Sequence, residues 1–220
     1  MTDSPAVADL LPLLGLRIRS GALELRGITD EDLPVLGALA ARGIHDPERM
    51  PFLFPWTDVP PEQLARNLAQ YQWRKRAEFA PEAWSMPLGV WHEGLLVGVQ
   101  DFHTEHYLVT RTGETGSWLG REFHGRGIGT AMRRVICAFV FDHLDAAQIT
   151  SAAFLDNPSS RAVSRKVGYR ENGVTRLQRR PGEMAENLGL VLTRETFVRS
   201  GVELQVQGVA AFRRSVGLDG

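Results

Sequence analysis

Gly125, Gly127 and Gly129 recur at every second position within Arg121 to Arg134, Arg-Glu-Phe-His-Gly-Arg-Gly-Ile-Gly-Thr-Ala-Met-Arg-Arg, and lead straight into a helical pattern. Glycine permits positive φ and close backbone approach, so successive N–H groups can turn inward on an anion while the helix macrodipole adds partial positive charge. The spacing therefore predicts a phosphate cradle. Two familiar phosphate binders do not fit it. A P-loop carries a lysine after its last glycine, and Gly129-Thr130-Ala131 has none. A dinucleotide fingerprint wants G-x-G-x-x-G at the first strand-to-helix turn, whereas these glycines come late and at another spacing. A turn needed only for tight packing is the bland alternative.

Other chemistry-bearing residues lie on either side. Glu114 opens the run that feeds the loop, and Glu183 and Glu186 approach the last strong strand. Each could take a proton from an attacking group through water, and each reads equally well as a solvated or capping carboxylate. His103, Glu105 and His106 form a polar cluster that a surface turn also explains, although histidine titrates in the useful range. Asn157 and Ser164 are seven residues apart, nearly two helical turns, which puts both side chains on one face. Cys137, the single cysteine, falls inside an apolar helical pattern and reads as buried. No Cys/His spacing suits a metal.

The elements that must position these groups follow from periodicity. Leu16–Arg19 and Ala22–Arg26 alternate about Ser20-Gly21, as a strand or short hairpin would. Thr29 is placed to cap a helix whose inward stripe is Leu33, Leu36, Leu39 and Ala40. From Gly43 to Pro61 a proline- and aromatic-rich loop carries Phe52, Phe54 and Trp56, either as a core plug or as a pocket wall. A helix over about Glu62 to Phe79 follows, with Leu64, Leu68 and Tyr71 inward. Met86–Trp91 and Leu95–Phe102 form a hairpin, and Glu114–Leu119 leads into the glycines. The helix after them should run from Gly127 to His143, before a strand at Gln148–Leu155. Asn157-Pro158 suits a cap and first turn for a short helix ending near Gly168, where Val167-Gly168-Tyr169 turns the chain into another strand. A loop through Arg179–Glu183, a strand over Asn187–Leu192 and an alternating piece at Val202–Val206 complete the chain.

Bulk properties narrow the class. Twenty-five basic against 26 acidic residues give no general field for nucleic acid. Met-Thr-Asp-Ser-Pro has no basic segment and the apolar run Leu10–Leu16 is short and broken by Pro12, so neither a signal peptide nor a membrane span is expected. A cytoplasmic protein with reduced thiols is the expectation.

His124-Gly125-Arg126-Gly127-Ile128-Gly129 resembles the central signature of the GNAT-type acyl-CoA-dependent N-acyltransferases, Gln/Arg-x-x-Gly-x-Gly/Ala between a strand and a helix, with His124 in place of Gln or Arg. The stretch from Asn157 through Ser160 and Ser164 to Gly168-Tyr169 resembles the family's Asn-x-x-Ser and Lys-x-Gly-Phe/Tyr. Arg170-Glu171-Asn172-Gly173 and the segment up to Leu192 are similar to the branch of ribosomal-protein N-terminal acetyltransferases. Met50-Pro-Phe…Pro-Trp-Thr57 and Gly116-Ser-Trp-Leu-Gly120 resemble an actinobacterial-looking subgroup able to hold succinyl-CoA.

The resemblance implies an α/β (α+β) fold: one domain over 16–200 with a mixed, mostly antiparallel sheet of about seven strands flanked by helices, splayed at the pair that holds acyl-CoA. Residues 1–15 would be an extension, and 201–220 a strand and tail. It implies acetyl-CoA or succinyl-CoA as co-substrate, no tightly bound cofactor and no metal. His124 to Thr130 would grip the pyrophosphate through main-chain amides, Trp118 and Leu119 would supply backbone donors to pantetheine and the thioester carbonyl, and Asn157 and Ser160 would meet the pantetheine arm.

It also implies direct attack by a primary amine in a ternary complex. Relatives have tyrosine or serine at the Ser164 position; a serine hydroxyl is far less acidic than a thiol of pKa about 8.5, so Ser164 is expected to orient or relay rather than give up its proton. Glu114 or Glu186 would serve as base. Phe52, Phe54 and Trp56 would wall the acceptor, which is an amine-bearing small molecule, a protein N-terminus or a lysine. A succinyl donor would call for a cation, for which Arg74, Lys75, Arg111 and Arg179 are candidates. No nucleic acid or membrane partner is expected, and exposed strand edges allow a homodimer. A coenzyme-binding sensor without turnover, or a protein with a vestigial site, stands as the alternative.

Overall fold

The computed structural model describes residues 6–199, 201 and 203–219; the expectations placed on Met1–Pro5 and on Val202 lie outside them. A short helix, α1 (Val7–Leu10), and a 3-10 turn at Pro12–Gly15 precede β1 (Arg17–Ser20) and β2 (Leu23–Gly27), which form the expected hairpin. Helix α2 (Leu33–Ala41) starts four residues after Thr29 and is not capped by it. Asp32 reaches back instead, accepting the Thr29 N–H and hydroxyl at 2.9 and 3.0 Å and both ends of the Arg26 guanidinium at 3.0 Å.

Helix α3 (Pro61–Ala77) buries Leu64, Leu68 and Gln72, a strict four-residue spacing. Tyr71, expected inward, is therefore turned a quarter-turn away and lies 43% exposed. The two helices pack closely because Gly37 of α2 meets Ala65: a Cβ there would sit 2.5 Å from the alanine methyl.

Next come β3 (Ala83–Ser85), β4 (Leu88–His92), β5 (Leu95–Glu105), the single turn α4 (Tyr107–Thr110) and β6 (Thr112–Leu119). After the glycines, α5 (Ile128–His143) leads to β7 (Gln148–Phe154) and α6 (Pro158–Val167). Two long strands, β8 (Arg170–Arg180) and β9 (Glu183–Thr193), replace the expected loop at 179–183 with a tight turn at Pro181-Gly182. The chain ends in β10 (Gln205–Gln207) and α7 (Val209–Ser215).

Among the described residues ten strands join one sheet, in the order β10-β1-β2-β4-β5-β6-β7-β9-β8 with β3 added on β5. That exceeds the seven expected; the three-residue strand β3 carries no periodic signal, while β10 falls on the end of the alternating piece read at 202–206. Pairing is antiparallel except between β6 and β7, whose parallel register covers only Thr112–Glu114 against Gln148–Thr150. Past those three pairs the strands part, so the sheet is splayed between them, as the resemblance implied. One face of the sheet packs on α5 through Val135, Ile136, Phe139 and Val140; the other buries Ile28, Leu36, Leu39, Leu68 and Val99 under α2 and α3. Phe212 and Val216, at the end of the chain, belong to the first of these cores and are fully buried.

Candidate active site

The glycine loop fits an anion-binding helix start. Gly125 and Gly127 have φ of 74° and 80°, a region that L side chains rarely adopt, and a Cβ at either would meet open space. Gly129 lies inside α5 with only ordinary contacts and no positive φ. The N–H groups of Thr130 and Ala131 close on the Gly127 carbonyl at 3.1 and 3.0 Å, leaving the first N–H groups of the helix without an intrahelical acceptor. His124 lies beside the turn with Nε2 3.1 Å from the Leu119 carbonyl, and Arg126 sits over the Phe123 ring. The loop from His124 to Gly127 is exposed, while Ile128 is buried at 4%.

The loop opens directly onto the splay. Which backbone groups of β6 face it follows from strand alternation, because N–H and C=O of alternate residues point to the same edge. The carbonyls of Gly113 and Thr115 accept from Thr150 and Ser151 of β7, at 3.2 and 3.0 Å. The Gly116 carbonyl accepts from Gln100 of β5 at 2.9 Å, and the Gly120 N–H donates to Val97 at 2.9 Å. Odd positions thus face β7, and even positions face β5. The N–H groups of Leu119 and Ser117 are thus directed at the gap, and that of Trp118, expected there, at β5.

On the α5 side, polar side chains of α5, β6 and β7 meet at the gap. Arg133 of α5, 4% exposed, donates to Ser117 of β6 at 2.9 Å and to Ser151 of β7 at 3.1 Å. Tyr169 shares a 2.8 Å hydrogen bond with Thr115, lies 3.4 Å from the Cys137 sulfur, and has its phenol pushed well above the ordinary range by burial. Burial likewise pushes the Cys137 thiol up to about 11, in keeping with a structural cysteine. Asn157 is the cap of α6: its Oδ1 accepts the Ser160 N–H at 3.1 Å. Ser164, 1% exposed, has a buried hydroxyl with no partner among the described residues. That hydroxyl is free to donate.

On the α2/α3 side, Trp118 carries the aromatic loop. Its ring centroid is 5.8 Å from Trp56, which is 5.4 Å from Phe52, and His45 lies 5.6 Å beyond. Phe54 does not join them; it is 76% exposed. The loop is tied down where Asp58 meets Arg180 at 2.6 and 3.1 Å.

Along the same face, Glu114 stands opposite His103 in register. His103 Nδ1 is 3.4 Å from Asp101, whose hydrogen bond and charge, with the Glu114 charge behind them, hold its pKa above the ordinary value despite burial. One oxygen of Asp101 is buried without a partner among the described residues. Asp101 was not singled out from the sequence, since the strand expected over Leu95–Phe102 stops short of His103; β5 runs on to Glu105 and puts the two on one face by alternation. Glu186 is not part of this group: it is exposed, and its carbonyl accepts from Leu155 at the opposite end of β7 from Glu114's neighbour Thr150. Glu183 is engaged by Arg179 and Arg180.

A mixed sheet with one splayed parallel pair that opens onto a glycine-rich helix start defines an acyltransferase-type α/β fold. The Acetyltransferase (GNAT) domain family matches residues 22–170, and the chain belongs to that family. A Bacillus subtilis (strain 168) protein, YdaF, provisionally named a ribosomal N-acetyltransferase, is 34% identical over 88 residues, 40% of this chain and 48% of its own. The chain thus spans about half the length of that curated relative. Mycobacterium smegmatis RimJ, solved with a coenzyme A disulfide, superposes with a TM-score of 0.68 at 18% identity, covering 92% of this chain and 95% of its own. RimL, a ribosomal L7/L12 α-N-protein acetyltransferase solved with coenzyme A, gives 0.62 at 16% identity over 78% and 94%. Among the described residues no helix is long and apolar enough to cross a membrane.

Proposed function

We propose that the chain transfers an acyl group, acetyl or succinyl, from coenzyme A to a primary amine by direct attack in a ternary complex. The observation that carries this is the gap between β6 and β7 running into the Gly125–Gly129 helix start, which offers backbone donors in a line from pyrophosphate to thioester. The main chain from His124 to Thr130 takes the pyrophosphate. Asn157 and Ser160 flank the pantetheine arm, and the N–H groups of Leu119 and Ser117 polarise the thioester carbonyl. The amine nitrogen forms its bond to that carbonyl carbon, the carbon–sulfur bond breaks, and the sulfur leaves toward the Ser164 hydroxyl, which stabilises it as a hydrogen-bond donor.

Glu114 is the base, acting through water, with Asp101 and His103 beside it on the same sheet face. Phe52 and Trp56 wall the acceptor against Trp118. The acceptor class that the named relatives support is a protein N-terminus. Its α-amine, with a pKa of about 7.7–8.0, needs less help from a base than lysine at about 10.4. The reading assigns catalysis to residues 16–200 with flanking segments 1–15 and 201–220, places the enzyme in the cytoplasm, and leaves the exposed edge strand β8 as the surface for any homodimer.

Thiol release from acetyl-CoA and succinyl-CoA, measured against a panel of amines that includes ribosomal-protein N-terminal peptides, tests the proposal. Turnover that falls on the order of 100-fold or more in Glu114→Gln, with coenzyme A affinity retained, is expected. Tight coenzyme A binding without thiol release for any acceptor would instead make the chain a sensor.

A further inference from the structure

Gly116 is a glycine that the fold itself does not require. Gly27, Gly89, Gly98, Gly113 and Gly189 also lie in strands, and at each a Cβ would come within 3.0 Å of a neighbouring atom. Gly173 is held by its φ of 84°. At Gly116 neither demand applies: its φ is not positive, and a Cβ there would have nothing within 4 Å. Glycine inside a strand weakens it, and one that packing does not call for marks a place where another molecule comes close to the backbone. The surroundings define the chemistry of that molecule. Alternation puts Glu114, Gly116 and Trp118 on one face of β6, and register sets His103, Asp101 and Val99 opposite them on β5. Val99 and Trp118 pack with Leu36 and Leu68, so this is the α2/α3 face. The space over Gly116 is therefore bounded along β6 by the aromatic wall at Trp118 and by Glu114, and across the strand pair by Asp101. One Asp101 oxygen is 3.4 Å from His103, and the other is buried without a partner among the described residues. From α3, Tyr71 and Lys75 approach the same group. Asp101 adds to the burial that pushes the Tyr71 phenol up to about 12, and Lys75, itself paired with Glu78 at 3.6 Å, opposes the rise at His103.

We infer that the acceptor amine enters over Gly116 and is held there as an ammonium by Asp101, so that one carboxylate recognises the amine and another, Glu114, deprotonates it. The inference rests on the acyl-transfer reading and deepens it by naming the group that binds the acceptor. A Cβ on Gly116 would be three bonds from the Ser117 nitrogen, roughly 3 Å away. An amine seated in that space thus adjoins the carbonyl carbon that the Ser117 N–H polarises, which is the placement direct attack requires. Cross-strand neighbours hold their Cβ atoms about 4.5–5.5 Å apart, so a nitrogen over Gly116 is within hydrogen-bond reach of the Asp101 carboxylate opposite. With His103 on one oxygen, the carboxylate offers its free oxygen to a partner that brings both N–H groups and positive charge, as a primary ammonium does. In the reaction the ammonium gives one proton to the water on Glu114, and its nitrogen bonds to the thioester carbon. The carbon–sulfur bond breaks, and a second proton from the nitrogen leaves with coenzyme A as its thiol.

The test uses the ribosomal-protein N-terminal peptide that gives the fastest thiol release, together with the same peptide carrying hydrogen in place of its α-amine. Asp101→Asn should raise the peptide's KM on the order of 10–100-fold, as loss of a charged hydrogen bond does, with kcat changed only a few-fold. Glu114→Gln, by contrast, acts on kcat. Gly116→Val should lower kcat/KM for the peptide on the order of 100-fold while the urea midpoint holds or rises and the Kd for coenzyme A stays within about twofold, with Gly116→Ala between. In calorimetric titration of the protein saturated with coenzyme A, the wild type should bind the peptide tighter than its deaminated analogue by on the order of 10-fold or more, and Asp101→Asn should bind the two alike. A fall in kcat at unchanged KM in Asp101→Asn, equal binding of peptide and analogue by the wild type, or a stable Gly116→Val protein with normal turnover would each overturn the inference and leave acyl transfer intact. A parallel loss of coenzyme A affinity in Gly116→Val would overturn it too, since the valine would then be closing the donor's gap. Absence of thiol release with every amine defeats the acyl-transfer reading instead, and the inference falls with it. Should Gly116→Val not fold, Gly116→Ala and the analogue comparison decide.

Discussion

Gly127 and Gly129 look alike in sequence but are held by different demands. At φ 80° with open space around it, Gly127 is needed for its backbone conformation, whereas Gly129 sits in a helix at ordinary contact distances of 3.7 and 3.8 Å. Gly127→Ala should therefore cost about 1–2 kcal/mol of stability and weaken coenzyme A binding at least about tenfold. Gly129→Ala should leave stability unchanged or raise it by about 0.5 kcal/mol through helix propensity. Urea unfolding and titration calorimetry with coenzyme A check both, and equal destabilisation by the two would refute the distinction. His103 carries a pH signature. Its folded pKa is raised by Asp101, so the pair stabilises the fold fully below the unfolded value of about 6.5 and ceases to do so as pH climbs through the folded pKa. The gap in urea midpoint between the wild type and His103→Gln should be widest in acid and close at alkaline pH.

The aromatic loop between α2 and α3 owes its position to two attachments of different kind. Phe52 and Trp56 stack toward Trp118, and Asp58 accepts two hydrogen bonds from Arg180 at the β8–β9 turn. An ion pair so exposed is weakened by salt, while the stacking is not. Arg180→Ala should speed proteolytic cleavage within residues 43–60 and raise the acceptor's KM, leaving coenzyme A affinity as it was; an unchanged cleavage rate would show that stacking alone holds the loop. Elements such as the glycine turn, the Asn157-Pro158 helix start and the β4–β5 hairpin were legible because a few consecutive residues dictate them. Strand β8 was legible at its start, where Val167-Gly168-Tyr169 turns the chain out of the helix, but its extent to Arg180 was not, since nearly all of it is exposed and no alternation marks it. The same limit explains the site. The glycines, Leu119 and Ser164 could be found by pattern, but Asp101 beside His103 depends on β5 running on past Phe102, and Arg133 between Ser117 and Ser151 depends on three elements meeting. Trp118 was misassigned as a donor because the edge to which each N–H points is set by the partner strand.

The molecule keeps its two functional faces apart with a single sheet, and its last residues help to hold that sheet together. Strand β10 pairs with β1 at Arg17–Arg19, and α7 sends Phe212 into the core, where its ring is 5.5 Å from Trp84 and 6.1 Å from Phe79. Trp84 in turn lies 5.6 Å from Phe102, the residue between Asp101 and His103 on β5. The tail is thus packed beneath the strand that carries the acid–histidine pair, on the opposite face. Because β5 also pairs with β6, loss of that packing would reach the candidate site only through the sheet itself. Phe212→Ala should cost about 3–5 kcal/mol, a cavity-forming loss that consumes much of the roughly 5–15 kcal/mol available to a domain. At a temperature where the variant remains folded, coenzyme A affinity should match the wild type, since the glycine loop and the β6–β7 gap are untouched. Thermal unfolding paired with calorimetric titration measures both quantities. A variant that is stable but binds coenzyme A weakly would show that the tail shapes the splay directly, and a variant with unchanged stability would mean that the core closes without it.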